Sequence, residues 1–120
     1  MEASHQLMRQ RDAYVQIRTQ LQNQAHALTH HAHPCQEAVA SLHRSLDALT
    51  DEITTLEAAV KRHLAAHPEW QTMLDRLMTM TGVGFVVAAT ILTETHGLSG
   101  FQNSAQLCAY AGIAPVLCRS

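Results

Sequence analysis

Seven apolar side chains recur through the middle of the chain at alternating intervals of three and four residues. They are Val39, Leu42, Leu46, Leu49, Ile53, Leu56 and Val60. This spacing places all of them in the a and d positions of a heptad repeat, so it predicts a coiled-coil helix. The helix should start just after Pro34 and end at about Ala66, because Pro68 disfavours helical geometry in the preceding residue. With a rise of about 1.5 Å per residue, this rod is about 45 Å long.

A second, weaker heptad repeat lies upstream. Its members Leu7, Tyr14, Leu21 and Leu28 recur every seven residues. Ile17 fills one intermediate position, and Gln10 and Gln24 fill the other two. Two such helices, joined by the polar segment 29–34, predict an antiparallel hairpin whose apolar stripes face each other. Because the glutamines weaken one stripe, we expect additional stabilisation from a partner chain or from the rest of the fold.

Length and charge narrow the class of protein further. With 120 residues the chain has the size of one ordinary domain, and a complete two-domain enzyme is excluded. Its net charge of −2 gives no general attraction for a polyanion, so any nucleic-acid binding must be local. The first ten residues contain no apolar signal segment, no run is long enough to span a membrane, and three cysteines without a CxxC pair suit a reducing compartment. We therefore expect a cytoplasmic protein with no membrane partner.

The pattern changes after residue 67. Residues 69–80 predict a short helix, and residues 85–95 predict an almost wholly apolar helix with Gly97 as its stop signal. A further helix should start at Asn103 or Ser104 and run through Tyr110. The predicted fold is all-α: a long antiparallel coiled-coil hairpin over residues 1–67, followed by a small helical domain over residues 68–120.

The break between these helices carries the most specific local signal. Residues Thr81, Gly82, Val83, Gly84 and Phe85 form a GxG turn between two apolar helices, which is typical of a helix-hairpin-helix motif. Glycine allows close approach to a phosphate, and the free N–H groups at the start of the second helix favour an anion. These five residues are therefore candidates for nucleic-acid binding. The alternative is a tight turn between two core helices, because a lone GxG is a weak signal.

Two other groups of residues have side chains that can bind metal ions or transfer protons. His30, His31, His33 and Cys35 have side chains that suit zinc or copper, but their spacing matches no known zinc pattern, and a polar connection between helices is favoured. We predict no metal site. The carboxylates Asp47, Asp51, Glu52 and Glu57 lie on the predicted coiled-coil helix away from its apolar stripe, so they predict a solvated face.

Three blocks of residues, in order, resemble a known family. The first block contains Leu77, Met80, Thr81, Gly82, Val83 and Gly84, the second Ala88, Ala89, Ile91, Leu92 and Glu94, and the third Phe101, Ser104, Gln106, Leu107 and residues 109–115. Together they resemble the C-terminal domain of bacterial insertion-sequence transposases of the DEDD type, which are bridge-RNA-guided recombinases. The predicted coiled coil fits this resemblance, since the family places one between its two catalytic halves.

The resemblance implies a divided active site. An N-terminal RuvC-like half supplies acidic residues for magnesium, and the C-terminal domain supplies a serine nucleophile. In this sequence Ser120 occupies the serine position, and Arg119 beside it could orient a phosphate. Because the RuvC-like half is absent and the sequence ends at Ser120, we expect no cofactor in this chain and no recombinase activity from it alone.

The function that we predict is that of a transposase fragment in DNA transposition. Its partners are DNA, a guide RNA implied by the resemblance, and further copies of the chain through the coiled coil. The alternative is a non-enzymatic helical module that oligomerises through residues 36–66 and binds no nucleic acid. A metal-binding hairpin that uses the cluster between His30 and Cys35 is a third possibility.

Overall fold

The structure is a computed structural model that describes residues 1–80 and 82–97. The regular elements in these ranges are all α-helices. They are α1 (Glu2–Thr29), α2 (Gln36–Ala65), α3 (Pro68–Met80) and α4 (Phe85–Glu94). The all-α class is therefore confirmed. Pro68 opens α3, where its missing N–H costs nothing. The helix predicted from Asn103 or Ser104 to Tyr110 lies outside the described residues.

Helices α1 and α2 form the long helical hairpin. Their antiparallel direction follows from two contacts between side chains: the Arg11 Nε lies 3.5 Å from a Glu57 carboxylate oxygen, and the Arg18 Nη1 lies 3.5 Å from the Thr50 hydroxyl. The partner number on α2 falls as the number on α1 rises. All seven members of the α2 stripe are buried or half-buried, so the predicted orientation of this helix is confirmed.

The stripe predicted on α1 combines a seven-residue repeat with three intermediate positions, and the prediction is correct only for the repeat. The seven-residue repeat from Leu7 to Leu28 is half-buried, but Gln10 and Gln24 are exposed and Ile17 remains 42% exposed. The row beside the repeat that does face the hairpin is Ser4, Arg11, Arg18 and Ala25. An arginine was not expected there, but its aliphatic stem can cover apolar surface while its charged end reaches α2.

The hydrophobic core lies at the base of the hairpin, where α3 and α4 pack across α1 and α2. Its buried members are Met8, Val60, Leu64, Leu74, Leu77, Ala88, Ala89, Ile91 and Leu92. The core thus contains residues from all four helices. The predicted division into residues 1–67 and 68–120 coincides with the break between α2 and α3, and it remains a prediction because the two parts share this core.

Helix α4 ends in a Schellman motif. The Gly97 N–H donates to the Leu92 carbonyl at 2.8 Å, and the His96 N–H donates to the Thr93 carbonyl at 3.3 Å. The position that needs left-handed backbone is occupied by His96, with a φ of 51°. Gly97, predicted as the stop signal, follows with a φ of 80°. A histidine at this position is strained, because its Cβ crowds the following carbonyl.

Replacing His96 with glycine is expected to stabilise the fold. Glycine adopts this backbone without strain, so the free energy of unfolding should rise by about 1 kcal/mol. Urea denaturation followed by circular dichroism measures this change. The control is Gly97→Ala, which should destabilise, because its Cβ would be strained at a φ of 80° and would lie 3.4 Å from the Trp70 Nε1. A loss of stability in His96→Gly would contradict this description of the helix end.

Candidate nucleic-acid interface

The turn between α3 and α4 has an open, glycine-lined surface. Gly82 has a φ of 71°, a backbone conformation that side chains rarely adopt. Both Gly82 and Gly84 are exposed, and a Cβ built on either would meet no atom of residues 1–80 and 82–97 within 4 Å. An external group can therefore approach the backbone of this turn closely.

Helix α4 begins at this turn, and no side chain in the described part of the chain caps it. Gly84 is the N-cap residue, and its carbonyl accepts the first helical hydrogen bond from the Ala88 N–H at 3.0 Å. The amide groups of Phe85, Val86 and Val87 precede that bond and have no partner within the helix. Because the helix dipole adds positive potential at this end, the arrangement suits an anion.

A cation from another helix lies beside the same turn. The Lys61 ammonium on α2 lies 4.8 Å from the centre of the Phe85 ring, which is a cation–π distance. Phe85 is the first residue of α4, and Lys61 itself is exposed. Along the sequence, Arg76 is the only lysine or arginine near the turn. The sequence analysis did not identify Lys61, because this residue lies more than twenty positions away along the chain.

The other end of α4 is fixed to α1 by an ion-pair cluster. One Glu94 oxygen lies 3.1 Å from the Arg9 Nε and 3.3 Å from the His5 Nε2, and the other accepts a hydrogen bond from the Arg9 Nη2 at 3.3 Å. Glu94 belongs to the second block of the family resemblance. Together with Lys61 at the opposite end, this cluster ties α4 to both helices of the hairpin and sets the position of the turn.

The structure brings together four of the five residues predicted for nucleic-acid binding. Gly82, Val83, Gly84 and Phe85 are consecutive in the turn and at the start of α4. Thr81 lies outside the described residues, as do the predicted catalytic pair Arg119 and Ser120.

The histidines at the tip of the hairpin do not form a metal-binding cluster with Cys35. His30 Nδ1 lies 2.8 Å from the His26 carbonyl, and His31 Nδ1 accepts a hydrogen bond from the His33 N–H at 3.2 Å. Across residues 1–80 and 82–97, no group of three or more histidine, cysteine or acidic side chains is arranged to hold a metal ion.

One of the four predicted surface carboxylates has a different environment from the rest. Asp47, Asp51 and Glu52 are exposed, as expected for a solvated face. Glu57 is half-buried and pairs with Arg11 across the hairpin. The Arg11 Nε is buried and makes no hydrogen bond with the described residues, so its contact with Glu57 is electrostatic. Glu57 therefore has a role inside the hairpin and was wrongly assigned to the solvated face.

Comparison with known proteins agrees with the resemblance seen in the sequence. A family model described as "Transposase IS116/IS110/IS902 family" matches residues 74–120, from the middle of α3 through the turn and α4. Residues 74–120 are therefore similar to this transposase family.

Two relatives extend the match. A 43.6 kDa protein of insertion element IS110 from Streptomyces coelicolor is 38% identical over 77 residues, which is 64% of this chain and 18% of the relative. A probable family 20 transposase from Pseudomonas aeruginosa is 29% identical over 73 residues, or 58% of this chain and 22% of the relative. The chain thus spans about a fifth of the length of these relatives. No solved structure matches. In the part of the chain that the structure describes, no helix is long and apolar enough to cross a membrane.

Proposed function

We propose that this chain contributes nucleic-acid binding and protomer pairing to an insertion-sequence transposase that acts in DNA transposition. The observation that carries the proposal is the family match over residues 74–120, which contains the whole turn and α4. The site of action is the cytoplasm, where bacterial DNA lies.

The nucleic-acid contact is assigned to the turn and its neighbour Lys61. The free amides of Phe85, Val86 and Val87 bind a phosphate oxygen, and the open glycines permit its approach. Residues 68–97 contain only one lysine or arginine, Arg76. Lys61 adds a second positive charge beside the turn. Such a site reads the phosphate backbone of DNA, or of a guide RNA duplex, rather than base sequence.

Protomer pairing is assigned to the distal half of the hairpin, which is the half nearer to its tip. Val39, Leu42, Leu46 and Leu49 are only half-buried in a single chain, whereas Ile53 and Val60 near the base are buried. A second copy packed along the distal half would remove more of this apolar surface from water. Sedimentation equilibrium should show a concentration-dependent dimer, and a constant mass near 13.2 kDa would contradict pairing.

The catalytic assignments come from the family resemblance alone. They name Ser120 as the nucleophile of the whole transposase and Arg119 as the residue that orients the phosphate. The resemblance assigns the magnesium of the family enzymes to acidic residues of the RuvC-like half. No reaction step is assigned to the described residues.

A salt series tests the nucleic-acid proposal. Fluorescence anisotropy of the chain with short duplex DNA and duplex RNA should show binding that weakens steeply with salt. In Lys61→Met the slope of log K against log salt on DNA should be smaller by about 0.9, because one phosphate contact is lost. The matched control is Arg44→Met, which removes an exposed charge from the distal half of α2 and should leave the slope unchanged.

The alternative function is a helical pairing module without nucleic-acid binding. If neither duplex binds at low salt while the chain still dimerises, this alternative replaces the proposal. Equal slopes in wild type and Lys61→Met would contradict the role of Lys61.

A further inference from the structure

Two histidines lie side by side at the C-terminal end of α1, His26 in its last turn and His30 as its C-cap residue. His26 and His30 are four residues apart, both are exposed, and their ring centres are 4.2 Å apart. Residues at this spacing lie on the same helix face. Two nitrogens that bind one transition-metal ion are within about 4 Å of each other, because each N–metal bond is about 2.0–2.1 Å. The 4.2 Å between the ring centres is close to this limit.

The hydrogen bond of His30 leaves its second nitrogen free. A carbonyl oxygen can only accept, so the His30 Nδ1 at 2.8 Å from the His26 carbonyl carries the proton and donates it. In the neutral ring the lone pair then lies on Nε2. An Nδ1–H bonded to a backbone carbonyl is also the arrangement that orients many metal-binding histidines. His30 is therefore in the tautomer that a metal ion needs.

The neighbouring histidine is in the opposite state. His31 uses the lone pair of its Nδ1 to accept a hydrogen bond from the His33 N–H. Its proton in the neutral ring is then on Nε2, and neither nitrogen is free to bind a metal. His31 is thus a matched control within the same segment.

We propose that His26 and His30 form a two-histidine site for a divalent late first-row transition metal such as Ni²⁺, Zn²⁺ or Cu²⁺. Imidazole suits these ions, whereas Mg²⁺ prefers oxygen ligands. Water completes the coordination, since no third histidine, cysteine or carboxylate within residues 1–80 and 82–97 joins the pair. The ion links the last turn of α1 to its C-cap residue and fastens the end of the helix at the tip of the hairpin.

Isothermal titration of the full chain with NiCl₂ tests this site. The wild-type chain should bind one Ni²⁺ with the His26–His30 pair. His30→Ala should weaken binding by more than tenfold, since even the loss of an outer hydrogen-bond partner weakens metal sites by about 10- to 100-fold. His31→Ala removes one imidazole from the same exposed segment and should bind as wild type does. Titration with MgCl₂ should produce no binding heat.

A structural readout separates this site from diffuse binding by the other histidines. With Ni²⁺ present, hydrogen exchange of the amides in the last turn of α1 should slow in wild type and in His31→Ala, but not in His30→Ala. Equal affinity in the two variants, or unchanged exchange at the end of α1, would overturn the proposal. Circular dichroism without metal checks that both variants keep the helical fold.

Discussion

Truncation of Leu92 to alanine is expected to lower the free energy of unfolding by about 2–5 kcal/mol. Leu92 is fully buried, with 0% of its surface exposed, in the cluster that unites all four helices. Its removal leaves a cavity that the surrounding helices fill only in part. This loss should be among the largest for any single substitution in the described residues, because Leu92 is one of the largest fully buried side chains.

The size of this effect is measured by urea denaturation and by the melting temperature. Val87→Ala on the same helix is the control, since Val87 remains 47% exposed and its truncation removes little buried surface. Similar losses for the two variants would show that α4 does not pack against the hairpin in the way described.

Ile53→Ala should produce the largest loss within the α1–α2 seam, again about 2–5 kcal/mol. Ile53 is 3% exposed and belongs to the α2 stripe. The control on the opposite helix is Ile17→Ala. Ile17 is 42% exposed outside the seam and should contribute much less. Urea midpoints of the two variants measure the difference. A negligible loss for Ile53→Ala would rule out the packed hairpin.

The elements of the hairpin could be predicted because local pattern determines them. The α2 stripe is regular over seven positions, and Pro34 and Pro68 limit the helix at both ends; it runs from Gln36 to Ala65. On α1 the apolar Ile17 suggested a row of residues that the structure leaves outside the seam. Whether a long polar side chain such as Arg11 turns inward depends on the partner it finds on α2, which α1 alone does not reveal.

The candidate site was predicted as a local turn, and its tertiary surroundings were not. The GxG pattern identified Gly82 and Gly84, since a turn is a property of neighbouring residues. Lys61 reaches Phe85 only because α3 folds back and places the start of α4 beside Lys61 of α2. His26 was also missed, although its four-residue distance from His30 was a usable signal.

The variant Gly84→Val tests most directly whether the turn before α4 binds phosphate. Gly84 has a φ of −76° and open space where a Cβ would lie, so valine should leave the fold intact while its branched side chain obstructs the turn. Anisotropy with duplex DNA at low salt compares this variant with wild type, and circular dichroism confirms its helicity. We expect wild-type binding and a loss of affinity of at least about tenfold, or about 1.4 kcal/mol, in Gly84→Val. Equal binding by the two proteins would contradict the assignment of the turn as the phosphate site.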